Sequence, residues 1–217
     1  MNRPYVIINC AMSADGKIAS PSGKQLHISN EEDMSRVYSL RNEYDAVLVG
    51  IKTIQSDNPK LTVKEGYVKN QNNPIRVILD THCSTNVEAL AVDDKAKTLI
   101  ITNGQCDKKY GPNVEVIQCD IDYDGVIDLN KMLEILYNRG IKKLMVEGGS
   151  TVIWNFLKQH LVDDLYVFIG PMIIGGKYTP SMADGEGISS ESDIINLEIA
   201  EVSKLNDGIL VHYRLVK

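Results

Sequence analysis

The sequence predicts an α/β fold: a mainly parallel sheet flanked by helices, closed by an antiparallel C-terminal hairpin. Three observations predict it. Short apolar runs that read as strands alternate with helical patterns along most of the chain. Those runs are nearly continuous in apolar character, as strands covered on both faces are. The chain then closes on two strand-like segments, Leu197–Val202 and Ile209–Val216, around the turn Asn206-Asp207-Gly208.

The elements follow in order. Tyr5 to Cys10 is the first strand, ended by the turn-rich Ser13-Ala14-Asp15-Gly16-Lys17. Ser29-Asn30-Glu31-Glu32 has the form of a capping box, and the helix it opens runs to about Asn42. Asp45–Gly50 is the second strand, followed by a short helical piece and Asp57-Asn58-Pro59. Ile75–Asp80, Thr98–Thr102 and the weaker Val114–Ile117 are the next three strands. Asp128 caps a helix carrying Leu129, Leu133 and Leu136 on one face and stopped by Gly140. The strand Lys143–Glu147 runs directly into a further helix, and Leu165–Gly170 is another strand. Residues 171–193, rich in glycine and carrying Pro171 and Pro180, read as a lid or binding loop. One domain spanning residues 1–217 is expected at this length.

The composition is that of an ordinary globular chain, with 43% hydrophobic and 24% charged residues. A net charge of −6 argues against general nucleic-acid binding, so any anionic ligand must meet cations gathered locally. The apolar runs are too short for a membrane span and the N-terminus lacks a signal-peptide core, which predicts a cytoplasmic protein. Cys10, Cys83, Cys106 and Cys119 share no short spacing and are expected to be isolated buried thiols. The histidines at 27, 82, 160 and 212 show no ligand spacing either, and no metal is expected.

The segment Glu147-Gly148-Gly149-Ser150-Thr151 points most directly to chemistry. Paired glycines between a buried strand and a helix let backbone N–H groups approach a ligand, and the helix start favours phosphate or pyrophosphate. The plainer reading is a tight turn with Ser150 or Thr151 as an ordinary N-cap. Glu147 lies at the carboxyl end of its strand, where α/β sheets place ligands and where a carboxylate needs a partner. Val49-Gly50 with Thr53 repeats the strand-glycine-helix pattern, and Asp57 follows it. Lys17 and Arg41 are candidate phosphate cations. Neither a Rossmann GxGxxG nor a P-loop is present.

Taken together, Met12–Ala19, Val49-Gly50 with Thr53, Asp57-Asn58-Pro59, Leu61-Thr62, Ile75–Asp80 and Glu147-Gly148-Gly149 resemble the riboflavin-biosynthesis pyrimidine reductases, of the stand-alone archaeal or fungal type. The resemblance implies a dihydrofolate-reductase-like fold, and reduction by NADPH of the ribosyl group of 2,5-diamino-6-ribosylamino-4(3H)-pyrimidinone 5′-phosphate to ribityl. By matching positions it implies a cofactor set of Ala11, His27, Thr53, Asp57, Thr81, Gly148, Gly149, Ser150 and Thr151. Gln25, Arg41, Leu61, Lys64 and Glu147 fall on the substrate side, and Glu147 and Asp57 are the candidate catalytic carboxylates. Position 27 holds His where bacterial members carry Trp. Thr81-His82-Cys83-Ser84 offers only His82 as a basic group after Asp80, which keeps NADH as an alternative donor. A homodimer is expected from the apolar C-terminal hairpin and from the family. Two other readings compete: a dihydrofolate-type pteridine reductase and a non-catalytic nucleotide-binding module.

Overall fold

The computed structural model describes residues 2–216 of the 217 in the chain. In chain order the elements are β1 (Tyr5–Ser13), α1 (Glu31–Glu43), β2 (Ala46–Gly50), α2 (Ile51–Asp57), β3 (Ile75–Leu79), β4 (Thr98–Thr102), β5 (Val114–Gln118), α3 (Leu129–Asn138), β6 (Lys143–Gly148), α4 (Ser150–Lys158), β7 (Asp164–Gly170), β8 (Leu197–Leu205) and β9 (Gly208–Leu215). They divide into two compact units, residues 2–5 with 38–145 and residues 6–37 with 146–216. The predicted class holds: strand pairing is mainly parallel, helices accompany it, and the last two strands form an antiparallel hairpin.

The first unit carries the parallel run β5-β4-β3-β2. Ala46 pairs with Ile75 at one end of its register and Gly50 with Leu79 at the other. Every residue of β2 and β4 is buried, which explains sequences that are apolar but for the two threonines at the ends of β4. Val47, Val49, Ile54, Leu61, Ile78 and Ile100 pack into one cluster. Each such side chain contributes roughly 1.5–3 kcal/mol by leaving water. Arg76, fully buried on β3, is fully engaged: it donates to Thr98 Oγ1 at 2.8 Å, Asp93 Oδ1 at 2.7 Å and the Ala96 carbonyl at 2.6 Å. Asp128 caps α3 as expected, accepting from the Lys131 N–H, and Leu129, Leu133 and Leu136 are buried with Met132. At the start of β6, the Asp45 carboxylate accepts from the Lys142 and Lys143 N–H groups at 2.7 and 2.9 Å.

The second unit pairs β1 with β7 in parallel, from Ile7↔Asp164 to Ser13↔Gly170. β9 then joins β7 and β8 joins β9, both antiparallel, with a bulge at Ile199/Glu201. The hairpin is longer than its sequence pattern, since β8 continues to Leu205 before the Asn206-Asp207 turn. The cap of α1 also differs from expectation. Asn30, not Ser29, accepts from the third-position N–H, that of Asp33 (2.9 Å), while Ser29 Oγ donates to the Asp33 carboxylate at 2.5 Å. Asp33 in turn accepts from Arg36 Nε and Nη2 at 2.9 and 2.7 Å, and the same Nη2 donates to Asn9 Oδ1 at 2.6 Å.

The cysteines correct the sequence reading. Cys10 and Cys119 are buried free thiols, and burial pushes both up, to about 12 and about 11. Cys83 and Cys106 are disulfide-bonded, with 5.6 Å between their Cα atoms. The parallel pairing of β3 with β4 brings together the loops that carry them, and no sequence spacing announces that. Among the described residues, no helix is long and apolar enough to cross a membrane, and no group of three His, Cys, Asp or Glu side chains gathers as a metal site.

Candidate functional site

In the second unit the five residues Glu147 to Thr151 form one strand-to-helix turn. Glu147 is half-buried near the end of β6. Gly148 has φ +123, a backbone geometry that a side chain resists, and the Gly148–Gly149 peptide is cis. A Cβ at Gly148 would meet only Ile153 Cδ1, at 3.8 Å, so the requirement for glycine comes from φ and not from lack of room. The N-cap of α4 is Gly149, which offers no side-chain acceptor. The plainer reading, with Ser150 or Thr151 as N-cap, therefore does not hold, because both lie inside the first turn. An approachable backbone before a helix start with no side-chain cap fits a phosphate or pyrophosphate group.

Ala11 is half-buried on β1, in register with Phe168. Gln25 is exposed and bridges to Ala19, and His27 is exposed beside the buried Ile28. The Ser13–Lys17 turn has a role the sequence left open. Asp15 accepts from Ser13 Oγ at 2.6 Å and from the Ile174 and Gly175 N–H groups at 3.1 and 2.7 Å. The Ser13 hydroxyl and these backbone donors hold its carboxyl well below the usual range, at about 2. Lys17 Nζ, considered for phosphate, donates to the Thr179 carbonyl at 3.0 Å. Further along, Glu186 accepts from Trp154 Nε1 at 3.0 Å and pairs with Lys158. The glycine-rich segment after β7 is thus tied down at three points.

In the first unit α2 opens at Gly50, again without a side-chain cap, and carries Thr53 and Asp57, both half-buried. Asn58 ends the helix in the left-handed region, and its side chain accepts from the Leu90 N–H at 2.8 Å. Thr81 follows β3, and its carbonyl accepts from the Asn103 and Gly104 N–H groups at 3.1 and 2.9 Å. Just before it, Asp80 is buried. Burial pushes its carboxyl up, but donors from Thr85 and Ser84 outweigh that and hold it below the usual range.

Arg41, Leu61 and Lys64 are brought together in this unit. Arg41 Nη1 donates to the carbonyl of Thr62 at 3.1 Å, next to the buried Leu61. The Arg41 guanidinium lies over Tyr38, 5.5 Å from the ring centre, and the Lys64 ammonium lies over Tyr67 at 5.2 Å. The two rings are themselves in contact, with 4.6 Å between their centres.

A family model, the RibD C-terminal domain, matches residues 4–211. The chain belongs to that family. It is 39% identical over 212 residues to the 2,5-diamino-6-ribosylamino-4(3H)-pyrimidinone 5′-phosphate reductase of Methanothermobacter thermautotrophicus, covering 97% of this chain and 98% of the relative. The identically named reductase of Archaeoglobus fulgidus is 36% identical over 220 residues, with 98% of each chain covered. Both are archaeal relatives spanned nearly end to end, the stand-alone type the sequence resembles.

Among solved structures, the deaminase/5-amino-6-(5-phosphoribosylamino)uracil reductase of Thermotoga maritima superposes with a TM-score of 0.85 at 29% identity, over 99% of this chain. The chain spans 57% of that longer protein. The RibD-type reductase neighbours share the dihydrofolate-reductase-like fold, as the sequence predicts. The sequence reading proposes Arg41 and Lys64 for the site and misses the tyrosines beneath them. For Tyr38 the signal was its i, i+3 spacing from Arg41 on the predicted helix.

Proposed function

We propose that this chain is a single-domain, cytoplasmic reductase of riboflavin biosynthesis that uses NADPH to reduce the ribosyl group of 2,5-diamino-6-ribosylamino-4(3H)-pyrimidinone 5′-phosphate to ribityl. The observation that carries the reading is the Glu147–Thr151 turn, in a chain similar over nearly its full length to reductases of that name. A nicotinamide coenzyme, when bound, supplies hydride to C1′ of the substrate. Gly148, Gly149, Ser150 and Thr151 would receive its pyrophosphate, with Ala11, His27, Thr53, Asp57 and Thr81 as its other contacts. Gln25, Arg41, Leu61 and Lys64 would hold the substrate, Arg41 and Lys64 at its phosphate. The ribosylamine must open to an imine or iminium before C1′ accepts hydride. The Glu147 carboxylate is assigned to stabilise that positive charge, with Asp57 the second candidate. Positioning of the two reactants does the remaining work.

Loss of reduced-nicotinamide absorbance on adding the pyrimidine phosphate tests the reading, with NADPH and NADH compared side by side. Faster oxidation of NADPH with this substrate, and none with dihydrofolate, is the expected result. Tight coenzyme binding without oxidation would favour a non-catalytic module, and turnover of dihydrofolate a pteridine reductase. We also propose a homodimer formed through β8, the terminal strand of its sheet, where Ile199 and Val202 are 61% and 58% exposed. Sedimentation of an Ile199→Glu/Val202→Glu double variant as a smaller species than wild type would support it.

A further inference from the structure

The chain between Pro59 and Asn73 has no regular element, yet it is not loosely held. Val63 N–H donates to Asn73 Oδ1 at 2.9 Å, and the Asn72 N–H donates to Asn42 Oδ1 of α1 at 2.7 Å. Within it, Lys64-Glu65-Gly66-Tyr67 is a tight turn closed by the Tyr67 N–H on the Lys64 carbonyl at 3.4 Å. Gly66 has φ +89, a geometry the turn needs and other residues resist. The turn brings the Tyr67 ring back under the Lys64 ammonium. On α1, Tyr38 and Arg41 stand three residues apart on one face, and Arg41 lies over the Tyr38 ring. Because the two rings meet at 4.6 Å, tilted by 46°, the four side chains form one continuous chain of contacts: Lys64, Tyr67, Tyr38, Arg41.

A cation over an aromatic face is attracted by the ring's electron density and loses rotamer freedom before any ligand arrives. In a chain of net charge −6 an incoming phosphate meets an unfavourable field, so two cations already in place matter more than two that must be gathered. We propose that Tyr38 and Tyr67 are positioning residues, an aromatic brace that holds Arg41 and Lys64 ready for the substrate phosphate and sets the preference for phosphorylated over dephosphorylated substrate. The inference rests on the assignment of Arg41 and Lys64 to that phosphate.

The test measures calorimetric binding and steady-state kinetics for the pyrimidine phosphate and its dephosphorylated counterpart. The proteins are wild type, Tyr38→Leu, Tyr67→Leu, and the Phe variants at both positions. Each Leu variant is expected to bind the phosphorylated compound roughly 3- to 10-fold more weakly and to raise its KM to match. The same variants should leave kcat, the coenzyme KM and affinity for the dephosphorylated compound unchanged. Phe, which keeps the ring face, should restore wild-type values. Gly66→Ala, which disturbs the turn without touching a ring, should reproduce the Tyr67→Leu effect, and covers the case where a Leu variant does not fold. Equal weakening for both compounds, unchanged affinity in both Leu variants, or failure of Phe to rescue would each overturn the brace. A wild type that binds the phosphate through the tyrosines but never oxidises NADPH would defeat the catalytic reading and leave the brace standing.

Discussion

The turns Val49-Gly50 into α2 and Glu147-Gly148-Gly149 into α4 look alike in sequence and differ in physics. Both leave a buried strand, and both open a helix whose N-cap is a glycine without a side-chain acceptor. Gly50, however, has φ −81 and ψ 158, extended backbone that any residue adopts. Gly148 has φ +123, where only glycine is at ease. The residue before the glycine also differs, a buried Val49 in one turn and a half-buried carboxylate, Glu147, in the other. The same sequence signature thus marks backbone necessity in one turn and does not in the other, and only one turn carries an acid.

The largest expected effect tests the acid. Glu147→Gln should lower kcat by about 10²-fold while the coenzyme KM holds, as for loss of a transition-state charge partner. An unchanged kcat would move that role to Asp57, at the far end of the helix that the first turn opens. The next effect tests the glycines. Gly148→Ala should cost about 1–3 kcal/mol in coenzyme-free denaturant unfolding. Gly50→Ala, at a compatible φ, should be neutral or stabilise by up to about 1 kcal/mol. Equal losses at both would erase the distinction.

The smallest effect concerns acid. Asp15 titrates at about 2 in the fold against an ordinary 3.8, so its contribution is present above the ordinary value and fades as pH falls from about 4 toward 2. Thermal unfolding of Asp15→Asn should therefore show a deficit at pH 7 that shrinks over that acid range. A deficit independent of pH would mean that the bonds to Ile174 and Gly175 need no charge.

What was legible in the sequence was local or periodic. The apolar runs of β2 and β4, the Asp128 cap with its leucine stripe, and the Asn206-Asp207-Gly208 turn depend on neighbours a few residues away, and each was found where it was expected. What was hidden depends on register. Cys83 meets Cys106 because β3 and β4 run in parallel, and Asp15 reaches Ile174 only after β1 has paired with β7. Arg76 is a charge in an otherwise apolar strand, and its partners, Asp93 and the Ala96 carbonyl, lie on a loop that no pattern links to it. Even the N-terminus of α1 misled, since Ser29 and Asn30 are both good caps and only geometry chose Asn30. The candidate site residues were proposed from resemblance, and the placing of Arg41 and Lys64 over Tyr38 and Tyr67 came from structure alone.

The pairing of β1 with β7 also sets an order of assembly. The Val6 N–H donates to the carboxylate of Asp163, a partner 157 residues later in the chain. As a nascent chain leaves the ribosome, the continuous stretch 38–145 can collapse on its own apolar cluster, while β1 waits with Val6, Ile7 and Ile8 unburied. Closing so long a loop is slow relative to local pairing. Amides of β3 and β4 should therefore gain protection before those of β1 and β7 in pulsed hydrogen exchange during refolding. That interval, when an apolar strand edge is bare, is when the chain is most exposed to self-association and to chaperone capture.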